Sequence, residues 1–138
     1  MRRYGKVAIR AVKLIESIRV NSPREAWNIA AEEILHNKFA IKKSCPKNAF
    51  LGLCEEGLVK GISAGDYTRS KKNKRYALAA IKLLRQNNKI EPLKLWKQVI
   101  QSLDIGEISH NYQMDVVLGL FEKNLLLISE QNKDKNVM

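Results

Sequence analysis

The chain has 138 residues, 45% of them hydrophobic, a mean hydropathy of -0.32 and a formal net charge of +11. That length holds one domain or two very small ones, and the apolar fraction excludes a disordered chain. No run of eighteen apolar residues exists, so no membrane-spanning helix is expected.

The opening MRRYGKVAIRAVKLIESIRV places positive charge before an apolar stretch, as signal peptides do. Arg10, Lys13 and Glu16 interrupt that stretch, however, and no small-residue cleavage site follows. Tyr4, Val7, Ala8, Ala11, Leu14, Ile15 and Ile18 recur at helical spacing, which predicts an amphipathic first helix in a cytoplasmic protein. A second helix opens at Ser22-Pro23-Arg24-Glu25, a capping box with proline where a missing N–H costs nothing. Its apolar face is Trp27, Ala30, Ala31, Ile34 and Leu35. After a loop carrying Lys38, Lys42 and Lys43, a third helix is expected from near Pro46, with Ser44 or Cys45 at its cap. It buries Ala49, Phe50, Leu53 and Cys54 and stops at Gly57, since the residue past a helix end is often left-handed.

The pattern then recurs. AFLGLCEEGLV (49–59) overlies VVLGLFEKNLL (116–126) at an offset of 67, with Leu51, Gly52, Leu53, Glu55 and Leu58 matched by Leu118, Gly119, Leu120, Glu122 and Leu125. AIRAVKLI (8–15) overlies ALAAIKLL (77–84), and PREAWNIAAEEIL (23–35) overlies PLKLWKQVIQSLD (92–104), both at an offset of 69. Three blocks in one order predict an all-α protein of six helices, a tandem duplication of a three-helix unit. The expected copies are 3–62 and 72–129 of one compact domain, with a linker at 63–71 and a polar tail at 130–138. In the second copy Leu93, Trp96, Val99, Ile100 and Leu103 form the apolar face of the middle helix, and Asn124 stands where Gly57 ends its helix. Trp27 and Trp96 are read as paired core anchors. The runs LVKGI and LLLIS after the third and sixth helices are expected to be short extended segments, able to pair across a pseudo-twofold axis.

Catalytic signals are weak. Cys45 and Cys54, nine residues apart in one helix region, do not suit a disulfide, and with His36 and His110 they form no metal-ligand spacing. No phosphate-loop or dinucleotide glycine pattern occurs. Cys45 near a helix N-terminus is the one place for an activated thiol, but no base accompanies it. Glu55 and Glu56 read as a solvated face. No enzyme, metal or cofactor is expected.

The charge is uneven: residues 1–103 hold 22 basic and 8 acidic side chains, residues 104–138 hold 3 and 6. YTRSKKNKR (67–75) gathers Arg69, Lys71, Lys72, Lys74 and Arg75, with Tyr67 and Ser70 as neutral donors to phosphate and Ser70 or Asn73 as the cap of the next helix. Lys38, Lys42, Lys43 and Lys47 form a second patch, Lys60 is a further candidate, and Arg3, Lys6, Arg10 and Lys13 follow one face of the first helix. These residues make nucleic acid the expected partner, held through its phosphates without catalysis. An acidic protein bound by the paired helices is the alternative. A winged-helix regulator is a weaker one, because FLGLCEEGLVKGI followed by a basic loop resembles a reading helix running into a wing.

YGKVAIRAV (4–12), SPREAW (22–27), CPKNAFLGLCEEGLVKGI (45–62) and YTRSKKNKRYAL (67–78) together resemble a set of small bacterial proteins of unknown function. The resemblance covers nearly the full length and implies a bacterial or phage-borne cytoplasmic origin, with no established activity.

Overall fold

The structure, a computed structural model, describes residues 2–128. The polar tail expected at 130–138 lies outside the described residues. Among the described residues seven helices follow in order: α1 (Arg3–Glu16), α2 (Pro23–Ile34), α3 (Lys38–Lys42), α4 (Ser44–Glu55), α5 (Lys71–Gln86), α6 (Pro92–Leu103) and α7 (Gln113–Glu122). The protein is mainly helical, and the six helices expected from periodicity are α1, α2, α4, α5, α6 and α7.

Local chemistry sets most helix boundaries. Ser22 accepts the Glu25 N–H at 3.3 Å with Pro23 opening α2, and Ser70 accepts the Asn73 N–H at 3.3 Å to start α5. α4 ends at Glu55, with Gly57 at φ +71°, and α7 ends at Glu122, with Asn124 at φ +57°. The Leu58 N–H returns to the Leu53 carbonyl and the Leu125 N–H to the Leu120 carbonyl, which satisfies the last turn of each helix in the same way.

The departures from expectation are local. The loop expected before α4 contains the five-residue α3, nucleated because Asn37 Oδ1 accepts the N–H groups of Phe39 (2.7 Å) and Ala40 (3.3 Å). α1 stops two residues short of Ile18, which adopts φ +63° and is exposed instead of facing the core. Leu93 is likewise exposed, on the first turn of α6. Cys45 lies inside the first turn of α4 and not before it.

One hydrophobic cluster draws residues from both halves, with Trp27 and Trp96 almost wholly buried in it. α1 packs on α2 and α7, α5 on α6 and α4, and α4 on α7. Each of α4 and α7 thus lies against the first helix of the other half. At the α1–α7 crossing Gly5 meets Gly119 so closely that a Cβ on Gly119 would stand 2.6 Å from the Gly5 Cα. At the α4–α5 crossing a Cβ on Gly52 would stand 2.7 Å from the Lys74 Cα. The segments after α4 and α7 meet in one antiparallel bridge, Val59 with Leu126. Lys60 donates its N–H to the Leu125 carbonyl and Leu127 to the Leu58 carbonyl, both at 2.9 Å. Val59 and Leu126 are 67 residues apart, the offset of the last sequence block. Among the described residues no further strand pairing exists, so the chain after α4 has no β-ladder from which to build a wing.

Candidate functional site

The basic run 67–75 is divided by Glu55. This carboxylate, only 7% exposed, accepts the backbone N–H groups of Tyr67 (2.8 Å) and Thr68 (3.0 Å) on Oε1, and Lys71 (3.0 Å) and Lys74 (2.6 Å) on Oε2. Lys74 also reaches Glu56 at 2.8 Å. The Lys74 ammonium first, then the Thr68 N–H and Lys71, hold the Glu55 carboxyl far below the usual carboxylate range. Lys74 is correspondingly raised by its two carboxylates. The expectation that Glu55 belongs to a solvated face is therefore corrected. It fastens the connection between the halves to the end of α4, and Glu56 alone of the pair is exposed.

Several expected phosphate contacts have internal partners for the same reason. Lys74 and Lys71 are ion-paired, Ser70 caps α5, and the Tyr67 hydroxyl donates to the Ser63 carbonyl at 2.7 Å. Lys60 and Lys72 are exposed. Arg75, with Lys71, Lys74 and Lys82, lines a groove of about 660 Å³ beside Leu78, Ala79, Leu83 and Leu103.

Arg69 belongs elsewhere. Together with Arg24, Lys42 and Lys47 it lines a cleft of about 560 Å³ where α2, α3 and the start of α4 meet. Ser44, Asn28 and Asn48 bring neutral hydrogen-bonding groups, and Glu25 and Glu32 are the acids present. Arg24 is anchored by donating from Nη2 to the Tyr67 carbonyl at 2.7 Å. Among the described residues none of these four cations makes an ion pair. Burial, then the fields of Arg24 and Arg69, lowers the Lys47 pKa, the mark of a cation among cations without a counter-ion. The patch at 42–47 and the beginning of the patch at 69–75 are therefore brought together, while the rest of the latter is not. Arg24 was hidden in the sequence inside a capping box, and no local pattern sets it apart.

Next to this cleft, and sharing Lys42 and Ser44 with it, is a hollow lined by Phe39, Lys43, Cys45 and Asn111. Phe39 and Lys43 also line a third hollow with Arg2, Arg3 and Tyr112. Lys43 Nζ lies 5.7 Å from the centre of the Tyr112 ring, which packs on Tyr4 at 5.0 Å. Phe39 is missing from the sequence-based candidates, although the interleaving of an aromatic with lysines in NKFAIKK is a signal that finds it. Cys45 is a half-buried free thiol, and Cys54 is buried with its pKa pushed well up by desolvation. Arg10 of the α1 stripe is paired with Glu33 at 2.7 Å. Among the described residues no three His, Cys, Asp or Glu side chains group as metal ligands, and no helix is long and apolar enough to cross a membrane.

No curated protein and no solved structure matches the chain. A family model does, across residues 1–127, and the chain belongs to that family, described as a family of unknown function (DUF6979).

Proposed function

We propose that the protein binds nucleic acid through its phosphates and catalyses no reaction. The observation that carries this reading is the cleft of Arg24, Lys42, Lys47 and Arg69, four cations converging without an ion pair among the described residues. Unneutralised charge in a concave, partly desolvated site attracts a polyanion more strongly than the same charge spread over an open surface. Lys47, whose pKa is lowered first by burial and then by the charges of Arg24 and Arg69, has its charged form stabilised when an anion enters. A nucleic-acid ligand agrees with the cytoplasmic location expected from the sequence. The sequence offsets, together with the Val59–Leu126 bridge between residues one offset apart, support a tandem duplication as the origin of the two halves.

Titration of a labelled oligonucleotide over a range of salt tests the reading. Four phosphates neutralised give a slope of log K against log salt of about -3. Arg24→Ala with Arg69→Ala should weaken binding at least about tenfold and flatten that slope by nearly half. Binding that is absent, or indifferent to salt, refutes the proposal.

A second reading, an acidic protein partner, is favoured by the groove along α5, where Leu78, Ala79, Leu83 and Leu103 adjoin Lys71, Arg75 and Lys82. A partner captured from nuclease-treated lysate and lost on Leu78→Asp would support it; capture that disappears with nuclease would not.

A further inference from the structure

We infer that the ligand is single-stranded nucleic acid, with unpaired bases stacking on Phe39 while the neighbouring cations hold its phosphates. The inference rests on the proposed nucleic-acid function and narrows it.

Phe39 is 86% exposed and stands beside Lys38, Lys42 and Lys43, so its ring is open to a planar group that cations would also hold. Its neighbours in the chain are basic or small, with Lys38 before it and Lys42 and Lys43 on the following turn. The helix that carries it is short yet well fastened. Asn37 caps it, Ala40 and Ile41 pack on the core, and the buried Tyr4 donates its hydroxyl to the Ala40 carbonyl at 2.9 Å. The ring is thus displayed on a held support, not on a loose loop.

Position strengthens the argument. Phe39 lines the hollow that shares Lys42 and Ser44 with the cationic cleft, and also the hollow that contains Arg3 and the half-exposed Tyr112. Cations and aromatic faces therefore alternate along one continuous surface: Arg69, Arg24 and Lys42, then Phe39, then Lys43 and Tyr112. Single strands are bound by such an arrangement, in which basic groups follow the backbone and rings take the bases. A duplex keeps its bases stacked inside and offers nothing for Phe39 to stack on. The charge of the surroundings also favours a polyanion over an apolar protein segment as the cover for this ring.

The test compares a labelled oligonucleotide as a single strand and annealed to its complement, at matched salt. The single strand should bind at least about tenfold more tightly. Phe39→Ala should weaken single-strand binding by between about fivefold and a hundredfold, and Phe39→Trp should retain it. Because Phe39 touches no phosphate, its removal should leave the salt slope unchanged, whereas Lys42→Ala should reduce it. Phe39 is exposed, so Phe39→Ala folds normally, and an unchanged circular dichroism melt verifies this. Equal binding of single strand and duplex overturns the inference while leaving the proposed function standing. So does unaltered binding by Phe39→Ala, including the case where that variant loses self-association instead. Absence of binding to either form removes both.

Discussion

The two halves of the chain place the same kinds of helices around the same core, yet only one of them carries a cleft in which cations outnumber acids, four against Glu25 and Glu32. Between α2 and the start of α4 stand Arg24, Lys42 and Lys47, joined by Arg69. At the aligned positions of the second half stand Leu93, Ser109 and Met114. The corresponding hollow beside α6, about 650 Å³, contains one lysine, Lys97, against Asp104 and Glu107. The halves differ equally at their matched glutamates. Glu55 is buried and accepts four hydrogen bonds, while Glu122 is about half exposed and lies 3.6 Å from Arg2. Similar helices thus support dissimilar surfaces. Apolar spacing fixes the scaffold, and individual polar positions decide what each half does.

The comparison is most severely strained at the helix crossings. Gly119→Ala places a Cβ 2.6 Å from the Gly5 backbone, where no side chain can yield. It should cost about 3 kcal/mol, the upper part of the usual overpacking range, and lower the melting temperature by about 10 °C in a thermal scan. Gly52→Ala should behave similarly, because its Cβ would meet the Lys74 Cα and Cβ. If either is tolerated, the corresponding close approach, of α7 to α1 or of α4 to α5, is wrong.

The glutamates provide a sharper contrast. Glu55→Ala removes a carboxylate that satisfies two lysines and two backbone groups and should destabilise by about 3 kcal/mol in chemical denaturation. Glu122→Ala, at the aligned site, loses one exposed ion pair and should cost under about 1 kcal/mol. Similar values for both would erase the distinction between the halves.

Acid should reveal the same difference. The folded-state pKa of Glu55 is depressed, so its stabilisation is complete above the ordinary glutamate range near pH 4.3 and is lost as pH falls below it. The stability gap between the wild type and Glu55→Gln should therefore shrink between about pH 5 and pH 2. A gap constant over that window would contradict the buried, hydrogen-bonded carboxylate.

The smallest effect belongs to the helix ends. Gly57→Ala forces a Cβ onto a residue at φ +71° and should cost about 1 kcal/mol, whereas Gly57→Asn, which copies Asn124, should cost less. Thermal melts of the two variants distinguish them.

The sequence by itself determined what depends on neighbours along the chain. Ser22, Pro23 and Ser70 mark helix starts, Gly57 and Asn124 mark helix ends, and the apolar spacing of six helices is readable, because capping and amphipathicity act over three or four residues. The short α3 is not legible in the sequence, because a five-residue helix leaves too little periodicity to detect. Ile18 and Leu93 fit their helical patterns but sit at helix ends, where the pattern no longer decides burial. Only the tertiary structure decided the fate of the charges. A run of lysines and arginines contains no information about which of them will meet a carboxylate. Glu55, twelve to nineteen residues from its partners, neutralised Lys71 and Lys74, while Arg24 and Arg69, forty-five residues apart, came to face one cleft. Local geometry is encoded locally; whether a charge is satisfied or free depends on which distant segments the fold brings within hydrogen-bonding distance.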